Sequence, residues 1–199
     1  MIDEAALRRE VCAAMRMAWL RGLSALTEGN ATAALGGGRW LATPSGALKH
    51  DIDPDALLIV EADGAIASGF GEPSVDVDLH LAAYAARPDA RAVVHVHAPT
   101  AVGLWGDPGQ PDMSFLSEAA RGIGQVGFCA DGLDRAATRA RFSAAAHAGA
   151  VILRWRHGIY ACAESPLRAF ALADMVEQAA RTILTSRLAR DWAVSQIEK

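Results

Sequence analysis

Residues Ala92-Val93-Val94-His95-Val96-His97-Ala98 set two histidines one residue apart inside a β-branched, apolar run, and no other stretch restricts the chain as strongly. Successive side chains of a strand point to opposite faces, so His95 and His97 share one face while Val94 and Val96 turn into a core. Two imidazoles side by side on a buried strand form either a chelating pair or a hydrogen-bonded pair near a strand end. The rest of the chain has to separate these two readings.

A chain of 199 residues, 52% of them hydrophobic, can bury one sizeable core but not two, so one domain spanning 1–199 is expected. The formal net charge of -4 is mild, and no Lys/Arg cluster interleaves with aromatics, which argues against nucleic acid as a partner. Cys12, Cys129 and Cys162 lie far apart and form no C-x-x-C pair, a pattern that suits a reducing compartment. The start, Met1-Ile2-Asp3-Glu4, is unlike a secretory leader, and no run approaches about 18 apolar residues. A soluble, cytoplasmic protein acting on a small molecule, with no membrane partner, is the expectation.

Helices and strands alternate along the chain. Apolar residues at helical spacing from Glu4 to Gly22 predict an opening helix, and Gly36-Gly37-Gly38 predicts a hairpin turn before a strand at Trp40–Thr43. A second hairpin is expected from Leu57–Val60 through Glu61–Gly64 into Ala65–Ala67. After Pro73-Ser74 a helix should run from about Val75 to Ala86 and stop at Arg87-Pro88-Asp89, leading into the histidine strand. Beyond it, Thr100–Leu104 reads as helix, Gly106–Pro111 as loop and Phe115–Ile123 as a short helix. An Ala-rich helix at Leu133–Ala148, a buried strand at Ala150–Trp155 ending at His157-Gly158, and a long helix at Leu167–Leu188 complete the pattern.

Separated short motifs then become informative together: Thr27-Glu28-Gly29-Asn30, Thr43-Pro44-Ser45-Gly46, Pro73-Ser74-Val75-Asp76 leading to His80, the His95/His97 pair, and His157-Gly158. In this order and spacing, from about residue 5 to 188, the chain resembles the class II aldolase/adducin family, and within it fuculose-1-phosphate aldolase-like proteins. Leu81–Tyr84, Arg87–Ala90, Val93–His95 and Ala161-Cys162 carry the same likeness. The resemblance implies an α/β fold of three layers, α/β/α, with a mostly antiparallel central sheet, and a homotetramer with sites at subunit interfaces.

The motifs also make chemical sense one by one. Three neutral imidazoles, His95, His97 and His157, suit a catalytic divalent metal, Zn2+ first, with a coordination position left open. Such an ion polarises a substrate carbonyl and hydroxyl. Asp76 is the candidate acid/base, although a carboxylate near a helix start is also favoured simply by the helix dipole. The family usually has Glu there, and its epimerases Asp. Gly29, Asn30, Ser45, Gly46 and Ser74 offer NH and hydroxyl donors for a phosphate, while Val75 stands where relatives often have a second serine.

The family's aldolases take proton donors from tyrosines after the histidine pair and in the tail. Here the tyrosines are Tyr84 and Tyr160, in neither place. Glu118, in a segment similar to that carrying the catalytic Glu of methylthioribulose-1-phosphate dehydratases, is the alternative, against a plain solvated helix carboxylate. His80 either supports Asp76 one turn away or packs in the core. His50 and His147 are expected to be exposed, and Arg154 and Arg156 to form salt bridges or meet an anion. The implied activity is a metal-dependent lyase performing retro-aldol cleavage of a small ketose phosphate or related hydroxy-carbonyl compound. A dehydratase, a 4-epimerase and a catalytically silent metal-binding module, as in the adducin branch, are the alternatives.

Overall fold

A computed structural model describes residues 3–105 and 116–197; the loop expected at Gly106–Pro111 lies outside them. The first helix, α1 (Glu4–Leu20), starts where the Asp3 side chain accepts from the Ala6 N–H, and it buries Val11, Ala14, Met15 and Ala18 along one stripe. Two hairpins follow as expected: β1 (Asn30–Gly36) with β2 (Arg39–Ala42), and β3 (Leu58–Glu61) with β4 (Ile66–Ser68). Then come α2 (Val77–Ala86), the histidine strand β5 (Ala92–Val96), α3 (Pro99–Trp105) and α4 (Ser117–Ile123). The chain continues through β6 (Val126–Cys129), α5 (Arg135–Ala148), β7 (Val151–Arg154), β8 (Gly158–Ala163) and α6 (Pro166–Ile197).

The strands form one eight-stranded sheet in the order β4-β3-β2-β1-β5-β8-β7-β6. Every neighbouring pair is antiparallel except β6 with β7, as a connection through the whole of α5 allows. Val94 and Val96 of β5 join the larger core with residues of α1, α3 and α6. Val93 packs on the other side with Leu79 and Ala83 of α2 and Phe142 of α5. Helices therefore cover both faces, giving the expected α/β/α layers. Each fully buried Val or Leu contributes about 1.5–3 kcal/mol relative to exposure, so the central strand is anchored from both sides.

Three features were not anticipated from sequence. The run Gly158-Ile-Tyr-Ala-Cys-Ala163 follows the turn at His157 and forms β8, paired with β5 and β7 and buried at all six residues. Val126–Cys129 forms β6 through parallel pairing with β7. The last helix continues past Leu188 to Ile197. Among the described residues no helix is long and apolar enough to cross a membrane.

Candidate metal centre

Strand register brings the candidate residues together. In the antiparallel pairing of β5 with β8, His95 faces Tyr160; in that of β5 with β1, His95 faces Asn30. The turn between β7 and β8 delivers His157 beside the pair. Its ring lies parallel to that of His95, with centroids 5.0 Å apart, and 5.3 Å from that of His97. The potential ligand atoms of His95, His97 and His157 all lie within 4.8 Å of one another. Two glycines make this approach possible. A β-carbon at Gly158 would sit 2.4 Å from the Val96 carbonyl oxygen and 2.8 Å from His95 Cε1. Gly29 takes a left-handed φ of +75°, and a β-carbon there would lie 2.7 Å from the His95 carbonyl oxygen.

The imidazoles are prepared as ligands. His95 Nδ1 lies 3.0 Å from the carbonyl oxygen of Ile159; a carbonyl only accepts, so Nδ1 carries the proton and Nε2 keeps its lone pair. His97 Nδ1 lies 3.0 Å from Glu28 Oε2, the carboxylate partner that commonly orients a metal-bound histidine. His157 Nε2 is buried and has no hydrogen-bond partner. Burial pushes the pKa of His95 well below the usual histidine value and also lowers that of His97, which favours the neutral, ligating form. An orphaned nitrogen, two fixed tautomers and a clustered three-nitrogen donor set fit a divalent cation.

Asp76 occupies the N-cap position of α2, but its side chain makes no capping bond. Instead it turns inward, 4% exposed. Its Oδ2 accepts from the Tyr160 hydroxyl at 3.0 Å and lies 4.0 Å from His95 Nε2 and 3.8 Å from His157 Nε2. Its Oδ1 is 3.3 Å from Arg135 and 3.6 Å from Arg154. Burial works to raise the pKa of this carboxyl, but His157, His95, His80 and the Tyr160 hydroxyl outweigh it and hold the group well below the usual carboxylate range. The carboxylate thus faces the histidines and Tyr160 rather than capping the helix.

Tyr160, Arg154, Arg135 and Glu28 complete the site without having been assigned to it from sequence. Tyr160 is fully buried, and its ring stacks on that of His95 with centroids 4.0 Å apart. Arg154 donates to the Tyr160 hydroxyl at 3.5 Å and to Asp131 at 2.7 Å. The available signal was the β7–β8 hairpin: recognising β8 as a strand paired with β5 would have placed Tyr160 opposite His95. His80 is a packed core histidine, its Nδ1 hydrogen-bonded to Thr32 Oγ1 at 2.9 Å. His147 is exposed, whereas His50 is half-buried, with its ring 5.1 Å from that of Trp19.

In front of the histidines lies a cavity of about 190 Å³, lined by Gly29, Asn30, Ser45, Gly46, Ser74 and Val75 with Asp76 and the three histidines. All candidate residues except Glu118 thus meet at one place. Glu118 belongs to α4, which packs against α6, and its side chain lies outside the described residues. Val75 is 82% exposed at the rim. Lys49, a residue not singled out from sequence, also lines the cavity.

Known proteins share this architecture. The chain is 38% identical over 117 residues to 3-oxo-tetronate 4-phosphate decarboxylase of Cupriavidus necator, covering 56% of this chain and 51% of that protein. It is 38% identical over 84 residues to methylthioribulose-1-phosphate dehydratase of Methylococcus capsulatus, covering 42% and 41% respectively. The matched segments span about half or less of those relatives. Among solved structures, YgbL of Escherichia coli superposes with a TM-score of 0.84 at 29% identity, over 92% of this chain and 90% of that one. L-fuculose-1-phosphate aldolase of Thermus thermophilus gives 0.81 at 27% identity, over 94% and 97%. The model of the class II aldolase and adducin N-terminal domain matches residues 9–184, and this chain belongs to that family.

Proposed function

We propose that the chain is a metal-dependent lyase that breaks a carbon–carbon bond beside a carbonyl in a small phosphorylated hydroxy-carbonyl compound, with retro-aldol cleavage as its reaction. The observation that carries this reading is the meeting of three ligating imidazoles and the Asp76 carboxylate at one cavity. A divalent ion held by His95, His97 and His157, zinc in the first instance, supplies Lewis-acid polarisation of the carbonyl and its neighbouring hydroxyl. Asp76 Oδ2 takes the hydroxyl proton as the C–C bond breaks; the bonding pair passes to the carbonyl side, leaving an aldehyde and an enediolate that is protonated at carbon. Asn30, Ser45, Gly46 and Ser74 hold the anionic end, which fixes the substrate's orientation. Glu118 is retained as a proton donor to be tested. Three free cysteines support a reducing, cytoplasmic setting, and the family supports a homotetramer.

A second reading has an observation of its own. Both oxygens of Asp76 are already engaged by Tyr160, Arg135 and Arg154, which lowers its capacity as a base. Decarboxylation of a 3-oxo acid phosphate needs no base to begin, because the carboxylate departs as carbon dioxide and leaves the same enediolate. The name of the Cupriavidus necator relative points the same way. Incubation of the purified protein with ketose 1-phosphates, pentulose 5-phosphates and 3-oxo-tetronate 4-phosphates, read by mass, separates the possibilities. Two fragments support retro-aldol cleavage and loss of carbon dioxide the second reading. Loss of water identifies a dehydratase, and an inverted centre at unchanged mass an epimerase. Metal binding with no turnover on any of them overturns the enzyme assignment.

A further inference from the structure

Lys49 is 1% exposed and one of the largest fully buried side chains. Its backbone N–H donates to the Leu26 carbonyl at 2.8 Å, and its Nζ donates to the carbonyl oxygen of Ala47 at 2.7 Å. Among the described residues no carboxylate pairs with it. A buried ammonium without a counter-charge is costly to keep, and burial accordingly pushes its pKa down to about 8. A lysine that only tied down its own turn could be replaced by an apolar side chain at a gain in stability.

The surroundings indicate which charge is missing. Lys49 lines the cavity in front of the histidines, and among the described residues it is the only cationic side chain to do so other than the imidazoles. The same cavity is lined by Ser45, Gly46 and Ser74, from two turns joined by the Pro44–Pro73 bridge, and by Asn30 at the start of β1. All four can donate hydrogen bonds to an oxyanion, and donors converging from separate turns suit a tetrahedral anion better than a planar carboxylate. The metal-ligating nitrogens and Asp76 line the remainder of the cavity, so one small molecule can meet both sets of groups.

We infer that Lys49 is the buried cation that binds the phosphate monoester of the substrate, its charge left unpaired by the fold so that the ligand supplies the partner. The inference rests on the reading of this cavity as a sugar-phosphate site and adds to it a charge-reading residue in the loop after β2. The retained instability and the binding are two sides of one feature: a stabilising replacement should remove binding.

Inorganic phosphate is the probe. Calorimetric affinity and melting temperature are measured for the wild-type protein, Lys49→Met, Lys49→Gln and Lys49→Arg, with divalent-metal content determined for each. The wild type should bind phosphate and melt higher in its presence. Lys49→Met should lose affinity about tenfold or more, the loss expected for one charge-assisted hydrogen bond, keep its metal content, and melt higher than wild type in phosphate-free buffer. Lys49→Arg should retain most of the affinity. Phosphate binding unchanged in Lys49→Met overturns the inference while leaving the sugar-phosphate reading in place. Failure of both Lys49→Met and Lys49→Gln to fold makes the lysine a structural support and overturns it as well. A wild-type protein that ignores phosphate overturns the inference and the sugar-phosphate reading together. Acetate stabilising as well as phosphate overturns the phosphate assignment in favour of a carboxylate.

Discussion

The histidine wall of the cavity is set by paired strands, with His95 inside β5, His97 directly after it and His157 in the tight turn from β7 to β8, whereas the facing wall is assembled from loops. His95 is locked between β1 and β8 by register, by its bond to Ile159 and by stacking on Tyr160. Ser45, Gly46, Ser74 and Val75 sit on loops joined by a single bridge between Pro44 and Pro73, and Val75 and Ser45 are exposed. The first wall holds a constellation whose geometry tolerates little displacement. The second can change its donors without disturbing the sheet, which is where substrate preference within a shared fold can diverge.

If this contrast is right, substitutions in the histidine wall should abolish function and those in the loop wall should adjust it. The largest effect is expected for His157→Ala. Removing a ligand should lower activity by more than the roughly 100-fold that loss of a supporting partner brings, without unfolding the chain, as steady-state kinetics beside a circular dichroism melt will show. Gly158→Ala comes next. With a β-carbon 2.4 Å from the Val96 carbonyl, it should destabilise by about 2–3 kcal/mol and reduce metal content, measured by denaturant titration and elemental analysis. Tyr160→Phe keeps the stack on His95 but removes the donor to Asp76; kcat should fall about tenfold while KM changes little. A proportional rise in KM instead would make Tyr160 a part of the substrate pocket.

The core histidine beside Tyr160, with ring centroids 5.7 Å apart, offers a test through pH. Burial pushes His80 down to about 4, outweighing the nearby Asp76 and Asp78, so its folded pKa lies below the unfolded value of about 6.5. Between these values the unfolded chain binds the extra proton. The contribution of His80 is therefore fully present above about pH 6.5 and is lost as pH falls towards 4, by up to about 3 kcal/mol. Urea titrations across this window should show that slope in the wild type and a flatter one in His80→Gln. The smallest effect belongs to the loop wall: Ser74→Ala should raise KM by a few-fold, as expected for one hydrogen bond worth about 1 kcal/mol, and leave kcat alone.

Much of this architecture could be read in the chain because local chemistry determines it. A β-branched apolar run exposed β5, turn-forming segments at Gly36–Gly38 and Glu61–Gly64 exposed both hairpins, and helical spacing exposed α1 and α2. Ordered short motifs brought nine of the ten candidate residues to one cavity, Glu118 being the exception. What escaped depends on pairing across long separations. Tyr160 lies in a Gly- and Ala-rich run that becomes a strand only between β5 and β7, and its role follows from facing His95. Arg135 reaches Asp76 from α5, through the packing of α2 on α5. Lys49 carries no local signal at all, because nothing in its neighbouring residues shows that its side chain is buried.

The central claim is that His95, His97 and His157 form a metal site, and elemental analysis of the gently purified wild-type protein tests it most directly. The account predicts about one equivalent of a divalent metal per chain, falling below about 0.2 equivalents in His157→Ala. A wild-type protein carrying less than about 0.2 equivalents, and taking up none when titrated with zinc, manganese or iron(II), would contradict it.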